Sequence, residues 1–203
     1  MTMPLFGSDN GSPCFEPEFE QDLLQPEQQH YIGLITGLGS SLPGLGLVWT
    51  KWARSLQKRL AIHYFGRAEV KIMRVSSDGT SEKKFFDAVL NDHHTGRLGK
   101  VVGAGHSNGC RDWLFGAKSM YPKIGVNYLG LIDMTLGEFG AEAYGNINHL
   151  DEFHAILERV DFHPSFFESS SSHDYFKINK GHTAAANDKS VQDRIFNQII
   201  SRI

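Results

Sequence analysis

The sequence predicts an α/β fold, a three-layer sandwich in which a mostly parallel central sheet carries helices on both faces. Along the chain, segments of continuous apolar residues alternate with segments of helical periodicity. The apolar segments are short and nearly uncharged, as strands buried on both faces are. The chain also contains no internal repeat and no low-complexity tract, so the alternation predicts βαβ units.

The length and composition are those of one domain. A chain of 203 residues with 40% hydrophobic and 21% charged residues can bury one substantial core. We expect that domain over residues 29–203, preceded by a loose N-terminal arm over residues 1–28 that is rich in Gly, Pro, Ser and acidic residues. The arm lacks a basic start followed by an apolar run, so no signal peptide is expected.

The first half of the domain predicts two strand–helix pairs. HYIGLIT has the composition of a buried strand, and LVWTKWARSLQKRLAIHYF that of an amphipathic helix, since Val48, Trp52, Leu56 and Leu60 recur at helical spacing. The uncharged stretch from Tyr31 to Trp49 is too rich in glycine for a membrane helix, so we expect a strand, a glycine loop and a helix start. AEVKIMRVS then predicts a second strand and SEKKFFDAVLNDH a second helix.

The second half begins with an equally clear pattern and then weakens. GKVVGAG predicts a third strand, SNGCRDWLFGAKSMY a helix that ends before Pro122, and VNYLGLID a fourth strand. Beyond Asp133 the chain is loop-like, HLDEFHAILERV fits a strand or a helix, and FHPSFFESSSS is again loop-like. DYFKINK predicts a last strand, NKGHTAAAND a loop, and NDKSVQDRIFNQIISRI a closing helix with Val191, Ile195 and Ile199 on one face.

Ser107 is the predicted nucleophile. It lies in Gly105-His106-Ser107-Asn108-Gly109, between a predicted strand and a predicted helix, which is the context of a G-x-S-x-G nucleophile elbow. The serine must take a strained backbone conformation there, and the glycines remove side chains that would clash. The start of the next helix favours negative charge, so the N–H of Asn108 is the predicted oxyanion donor. The alternative is a glycine-rich turn that matches the pattern by chance.

A serine nucleophile needs a base and an acid that orients it. We predict His182 as the base because it follows the last predicted strand in a small-residue loop, although a surface histidine is the alternative. We predict Asp133 as the acid because it ends the strand after the elbow helix, at the same sheet edge as Ser107. Three other acidic residues remain alternatives: Asp151, Asp161 and Asp174.

The order Ser107, Asp133, His182, together with the elbow and the C-terminal histidine segment, resembles the α/β-hydrolase family over Tyr31 to Ile203. The resemblance implies a serine hydrolase whose second oxyanion donor comes from ITGLGSS, at Leu38 or Gly39. Many members carry His-Gly where this chain has Thr-Gly. The chain is also short for the family, without a stretch for a large helical cap, so the resemblance implies an open, shallow site.

We expect Gly37, His106 and Trp113 to contact the substrate, with Trp113 close enough to the elbow to touch an acyl group. No cofactor and no metal are expected. GAGHSNG departs from the dinucleotide spacing, no P-loop is present, and neither NDHH (91–94) nor HLDEFH (149–154) repeats a zinc motif. A net charge of −3 disfavours nucleic acid as a partner.

These observations predict an esterase-like or lipase-like hydrolase that acts on an ester or acyl substrate through an acyl-enzyme. The competing hypothesis is a catalytically silent scaffold of the same fold that binds a small ligand or a protein partner. The two distant cysteines, Cys14 and Cys110, predict no disulfide framework and so favour a cytoplasmic location. No membrane span is expected either. The sequence predicts neither the oligomeric state nor the substrate.

Overall fold

The computed structural model describes residues 27–37, 50–75, 80–120, 122–134, 159–163, 174–176 and 178–203. Within these ranges it contains six strands and five helices. The strands are β1 Gln29–Thr36, β2 Ala68–Arg74, β3 Leu98–His106, β4 Tyr128–Ile132, β5 Val160–His163 and β6 Asp174–Tyr175. The helices are α1 Lys51–Tyr64, α2 Thr80–His94, α3 Asn108–Met120, α4 His182–Ala186 and α5 Lys189–Ile200.

The strands form one sheet in the order β2-β1-β3-β4-β5-β6, and every neighbouring pair is parallel. Ile35 of β1 lies beside Gly105 of β3, and His106 lies beside Ile132 of β4. Because parallel strands end at the same edge, this register brings the carboxyl ends of the three central strands side by side. The predicted parallel α/β sheet is confirmed.

Helices cover both faces of the sheet. On one face α2 and α3 contribute buried side chains such as Phe85, Val89 and Trp113. On the other face α1 and α5 contribute a second set, among them Leu56 and Ile195. The predicted three-layer arrangement is therefore confirmed, and the helical periodicity of the apolar residues is what turns each helix toward the sheet.

Two glycines allow α3 to start directly against the sheet. A side chain at Gly109 would place its Cβ 2.3 Å from the carbonyl oxygen of Ile35, and one at Gly105 would lie 2.7 Å from the backbone N of Cys110. Cβ atoms do not approach backbone atoms so closely. The turn between β3 and α3 can therefore be this tight only because both positions lack side chains.

The structure corrects three local predictions in the last third of the chain. β5 includes Phe162 and His163, which were predicted to begin a loop, and β6 covers only two residues of the predicted strand DYFKINK. His182 begins a five-residue helix, α4, where a loop was predicted. The predicted N-terminal arm lies outside the described residues except for positions 27 and 28. Within the described ranges, no helix has the length and apolar character needed to cross a bilayer.

Candidate active site

Ser107 directly follows β3 and has a left-handed backbone with φ of 58°. This conformation costs an L-residue about 1–2 kcal/mol, so surrounding contacts must hold it. The N–H of Ser107 donates to the carbonyl of Ile132 at 3.0 Å, and its own carbonyl accepts from the N–H of Cys110 at 3.1 Å. The turn thus has the strained geometry predicted for a nucleophile elbow, anchored to β4 and to the first turn of α3.

Asp133 and His182 meet although 49 positions separate them along the chain. Asp133 directly follows β4, is 5% exposed and also has a left-handed backbone, with φ of 40°. Its Oδ2 lies 2.6 Å from Nδ1 of His182. A carboxylate can only accept, so Nδ1 of His182 carries the proton of this contact, and Nε2 is the ring nitrogen that the contact leaves to other partners.

These contacts place the three predicted residues at one edge of the sheet. The N–H of Ser107 donates to the carbonyl of Ile132, which precedes Asp133 in the chain. His106, which precedes Ser107, contacts the backbone of His182. The side chain of His182 is 23% exposed, whereas Ser107 and Asp133 are each 5% exposed. The imidazole of His182 is therefore reachable from solvent.

His106, a predicted substrate contact, holds the backbone of His182. Its side chain is buried, and its Nε2 lies 3.1 Å from the carbonyl oxygen of His182. Because the carbonyl can only accept, Nε2 of His106 is the protonated nitrogen. The His106 ring lies 4.6 Å from the His182 ring and has the Trp52 ring edge-on at 6.4 Å.

The environment of His106 keeps its imidazole neutral. Burial is the main cause and the neighbouring His182 the second, and together they lower the pKa of His106 to about 4. At neutral pH this ring is an uncharged donor to the backbone of α4. Sequence reasoning missed this role because the contact joins residues 76 positions apart, for which no local pattern gives a signal.

Gly37, a predicted substrate contact, directly follows β1 and lies against Ser107. A Cβ at Gly37 would lie 2.6 Å from Cβ and 3.0 Å from Oγ of Ser107. The predicted oxyanion donors Leu38 and Gly39 follow immediately but lie outside the described residues. Asn108, the other predicted donor, is the first residue of α3 and directly follows the serine.

Trp113, a predicted substrate contact, lies in the core of this structure. It is fully buried, and its indole N–H donates to the carbonyl of Gly33 at 3.2 Å. Its ring packs edge-on against Phe85 and Phe86 of α2. The register of α3 turns position 113 toward the face of the sheet, so Trp113 belongs to the core between the sheet and α2.

Asp161, one of the alternative acids, belongs to a buried group of ion pairs and hydrogen bonds. Its carboxylate is fully buried on β5 and paired with Arg194 at 3.0 Å and with Arg159 at 3.3 Å. The hydroxyl of Tyr128 donates to it at 3.3 Å. Asp161 therefore joins β4, β5 and α5. Asp151 and the side chain of Asp174 lie outside what the structure describes.

Cys110 is a buried free thiol, and its burial raises its pKa well above the ordinary value. Among the described residues there is no group of three or more side chains arranged to hold a metal ion. His93 and His94 end α2, whereas the segment 149–154 lies outside the described ranges.

Comparison with known proteins adds no relative: no protein-family model matches the chain, and no curated protein matches its sequence.

Proposed function

We propose that the protein is a serine hydrolase that cleaves a carboxylic ester or thioester through an acyl-enzyme. The observation that carries the proposal is the 2.6 Å contact between Asp133 and His182, formed beside a serine in a left-handed turn. Two strained non-glycine residues at adjacent strand ends, one a serine and one a carboxylate bonded to histidine, are typical of a catalytic constellation. The resemblance to α/β-hydrolases, stated above on the sequence, agrees with this arrangement.

In the first half of the reaction, Ser107 Oγ attacks the carbonyl carbon while Nε2 of His182 takes the hydroxyl proton. Asp133 holds Nδ1–H and so stabilises the imidazolium that forms. The N–H of Asn108 and the segment after Gly37 receive the negative charge on the carbonyl oxygen. The intermediate collapses, the alcohol or thiol leaves with the proton from His182, and the acyl group stays on Ser107.

In the second half, water attacks the acyl carbon as Nε2 of His182 takes one of its protons. The acid is released and the proton returns to Ser107 Oγ, which restores the starting state. His106 contributes without touching the reacting atoms, because it fixes the backbone carbonyl of His182 at 3.1 Å. The orientation of the base is thus held from two sides, by a carboxylate on its ring and by a neutral imidazole on its backbone.

Hydrolysis of short p-nitrophenyl esters by the purified protein tests the proposal. Ser107→Ala should lower kcat by at least about a thousandfold, because it removes the attacking oxygen and leaves the turn unchanged. Ser119→Ala is the matched control, since Ser119 lies on α3, the helix that follows Ser107, and donates locally to the carbonyl of Gly116 at 2.7 Å. Its kcat should stay within about twofold of the wild type.

Two outcomes would contradict the proposal. If Ser107→Ala kept most of the activity, Ser107 would not be the nucleophile. If folded wild-type protein hydrolysed no ester or thioester of the series, the silent scaffold would be the better hypothesis. Circular dichroism spectra of all three proteins must agree for either conclusion to be drawn.

A further inference from the structure

The outer face of α1 carries one continuous exposed stripe. The residues that pack against the sheet, such as Trp52, Leu56 and Leu60, recur every three or four positions. The residues on the opposite side recur at the same spacing and are all exposed: Lys51, Arg54, Ser55, Lys58 and Ile62, followed just after the helix by Phe65. Three cations thus occupy the first turns of α1, and two large apolar residues its last turn and end.

The three cations of this stripe are not neutralised within the described part of the chain. Lys51, Arg54 and Lys58 have no ion-pair partner among the described residues, and no acidic residue occurs from position 51 to position 67. Arg59, on the flank of the stripe, differs because it pairs with Asp193 of α5 at 2.9 Å.

The acidic residues of the adjoining elements are already occupied by other cations. Asp193 also accepts from Lys189, and Glu69 of β2 pairs with Lys71 at 3.1 Å. Within the described ranges the stripe therefore keeps a charge of +3, in a protein whose net charge is −3. Such an excess on one helix face, within an acidic chain, indicates an anionic partner for that face.

The apolar end of the stripe restricts the kind of partner. Ile62 is 71% exposed and Phe65 is 89% exposed. Moving a large apolar side chain out of water lowers the free energy of the system. A nucleic acid duplex would contact the cations with its phosphates, but its bases are stacked inside and offer no apolar surface to the two apolar residues. An anionic lipid surface presents both kinds of partner side by side: charged headgroups for the cations and, just beneath them, acyl chains for the apolar residues.

We propose that the outer face of α1 docks the protein on an anionic lipid surface. Lys51, Arg54 and Lys58 contact the headgroups, and Ile62 and Phe65 enter the boundary between headgroups and acyl chains. A basic side chain near such a surface strengthens binding about fivefold, so the three cations together account for about a hundredfold.

The first turn of α1 lies at the same edge of the sheet as the candidate active site. α1 begins at the sheet edge that carries Ser107, and Trp52, next to Lys51, has its ring edge-on to His106 at 6.4 Å. Docking does not depend on the proposed hydrolysis, because none of the five docking residues belongs to the candidate active site.

Vesicle co-sedimentation tests the charge requirement. The wild type should bind phosphatidylcholine vesicles that contain about 30 mol% phosphatidylserine, should not bind pure phosphatidylcholine, and should be released by about 0.5 M salt. The triple variant Lys51→Glu, Arg54→Glu, Lys58→Glu should bind at least about a hundredfold more weakly. The control triple Lys84→Glu, Lys118→Glu, Lys123→Glu makes the same charge change at exposed positions outside α1 and should bind like the wild type.

Fluorescence tests the insertion of the apolar end. A tryptophan introduced by Phe65→Trp should shift its emission to the blue on anionic vesicles, because the indole leaves water. Phe115→Trp is the control, since Phe115 is 61% exposed but lies on α3, in the layer on the opposite face of the sheet. Its emission should not change.

The proposal is overturned if the wild type does not bind anionic vesicles, if both triple variants lose binding equally, or if the Phe65→Trp emission stays unchanged on bound vesicles. Tighter binding to heparin than to the vesicles would also overturn it, in favour of a polyanionic macromolecule. Hydrolysis of a soluble ester, measured on the same variants, separates this failure from failure of the proposed function. The docking variants should keep the wild-type kcat.

Discussion

The burial of His106 predicts that lowering the pH destabilises the fold through this one residue. In the folded protein the pKa of His106 is lowered to about 4, mainly by burial, whereas an unfolded histidine titrates near ~6.5. Between these two values the unfolded chain binds a proton that the folded protein excludes. The contribution of His106 to stability is therefore complete above about pH 6.5 and is lost as the pH falls toward 4.

The size of the effect follows from the shift. A difference of about 2.5 pKa units corresponds to about 3 kcal/mol when both states are compared below pH 4. At pH 5 the unfolded histidine is almost fully protonated and the folded one almost neutral, so the loss is about 2 kcal/mol. That is a substantial part of the roughly 5–15 kcal/mol by which a typical domain is stable against unfolding.

Urea unfolding at about pH 7.5 and pH 5, followed by circular dichroism, measures this loss. Other groups also titrate in this range, so the comparison is with His106→Gln, whose amide can still donate to the carbonyl of His182 but takes up no proton. Between the two pH values the unfolding free energy of the variant should fall by about 2 kcal/mol less than that of the wild type. His93→Gln, at an exposed position on α2, should lose as much as the wild type. Equal pH dependence in the wild type and His106→Gln would refute the buried, neutral His106 on which the positioning role rests.

Three further predictions follow from the same geometry. Asp133→Asn should lower kcat by about 10⁴ with little change in stability, because the amide favours the wrong tautomer of His182. Asp161→Asn should instead lower the unfolding free energy by about 3 kcal/mol and leave kcat of the folded fraction unchanged, because it breaks a buried ion pair. Steady-state kinetics and urea unfolding of both variants test this, and a kinetic loss in Asp161→Asn with a stability loss in Asp133→Asn would contradict it. Gly109→Val should cost about 3 kcal/mol or more, since even a Cβ there would lie 2.3 Å from a backbone oxygen, and a melting temperature near that of the wild type would contradict that close contact. Gly37→Ala should abolish ester hydrolysis in a folded protein, because its Cβ would meet the Ser107 side chain at 2.6–3.0 Å, and a kcat near that of the wild type would show that the nucleophile does not need this space.

The elements that the sequence predicted well are those long enough to show a period. β1, β3 and β4 are continuous apolar runs, and α1, α2, α3 and α5 each contain at least three helical turns of repeating apolar residues. β5, β6 and α4 have four, two and five residues, which is too short for periodicity to separate a strand or a helix from a loop. The strand order was not predictable in detail, because it depends on contacts between residues distant in sequence.

The candidate site shows the same division between local and distant information. The ends of β3 and β4 could be located from apolar runs, and so Ser107 and Asp133 could be placed at one sheet edge in advance. The direction of His106 and Trp113 depends on how a strand and a helix are rotated against their neighbours, which the sequence does not display. The buried ion pair of Asp161 could not be predicted, because its partner Arg194 lies 33 positions away on α5.

Labelling of the folded protein with a fluorophosphonate, followed by mass spectrometric mapping of the adduct, tests the central claim most directly. The reagent phosphorylates a serine only where a base has activated its oxygen and donors accept the developing charge. We expect one adduct per chain, on the peptide that contains Ser107, and its loss in both Ser107→Ala and His182→Ala. Labelling on another serine, or none on folded wild-type protein, would contradict it.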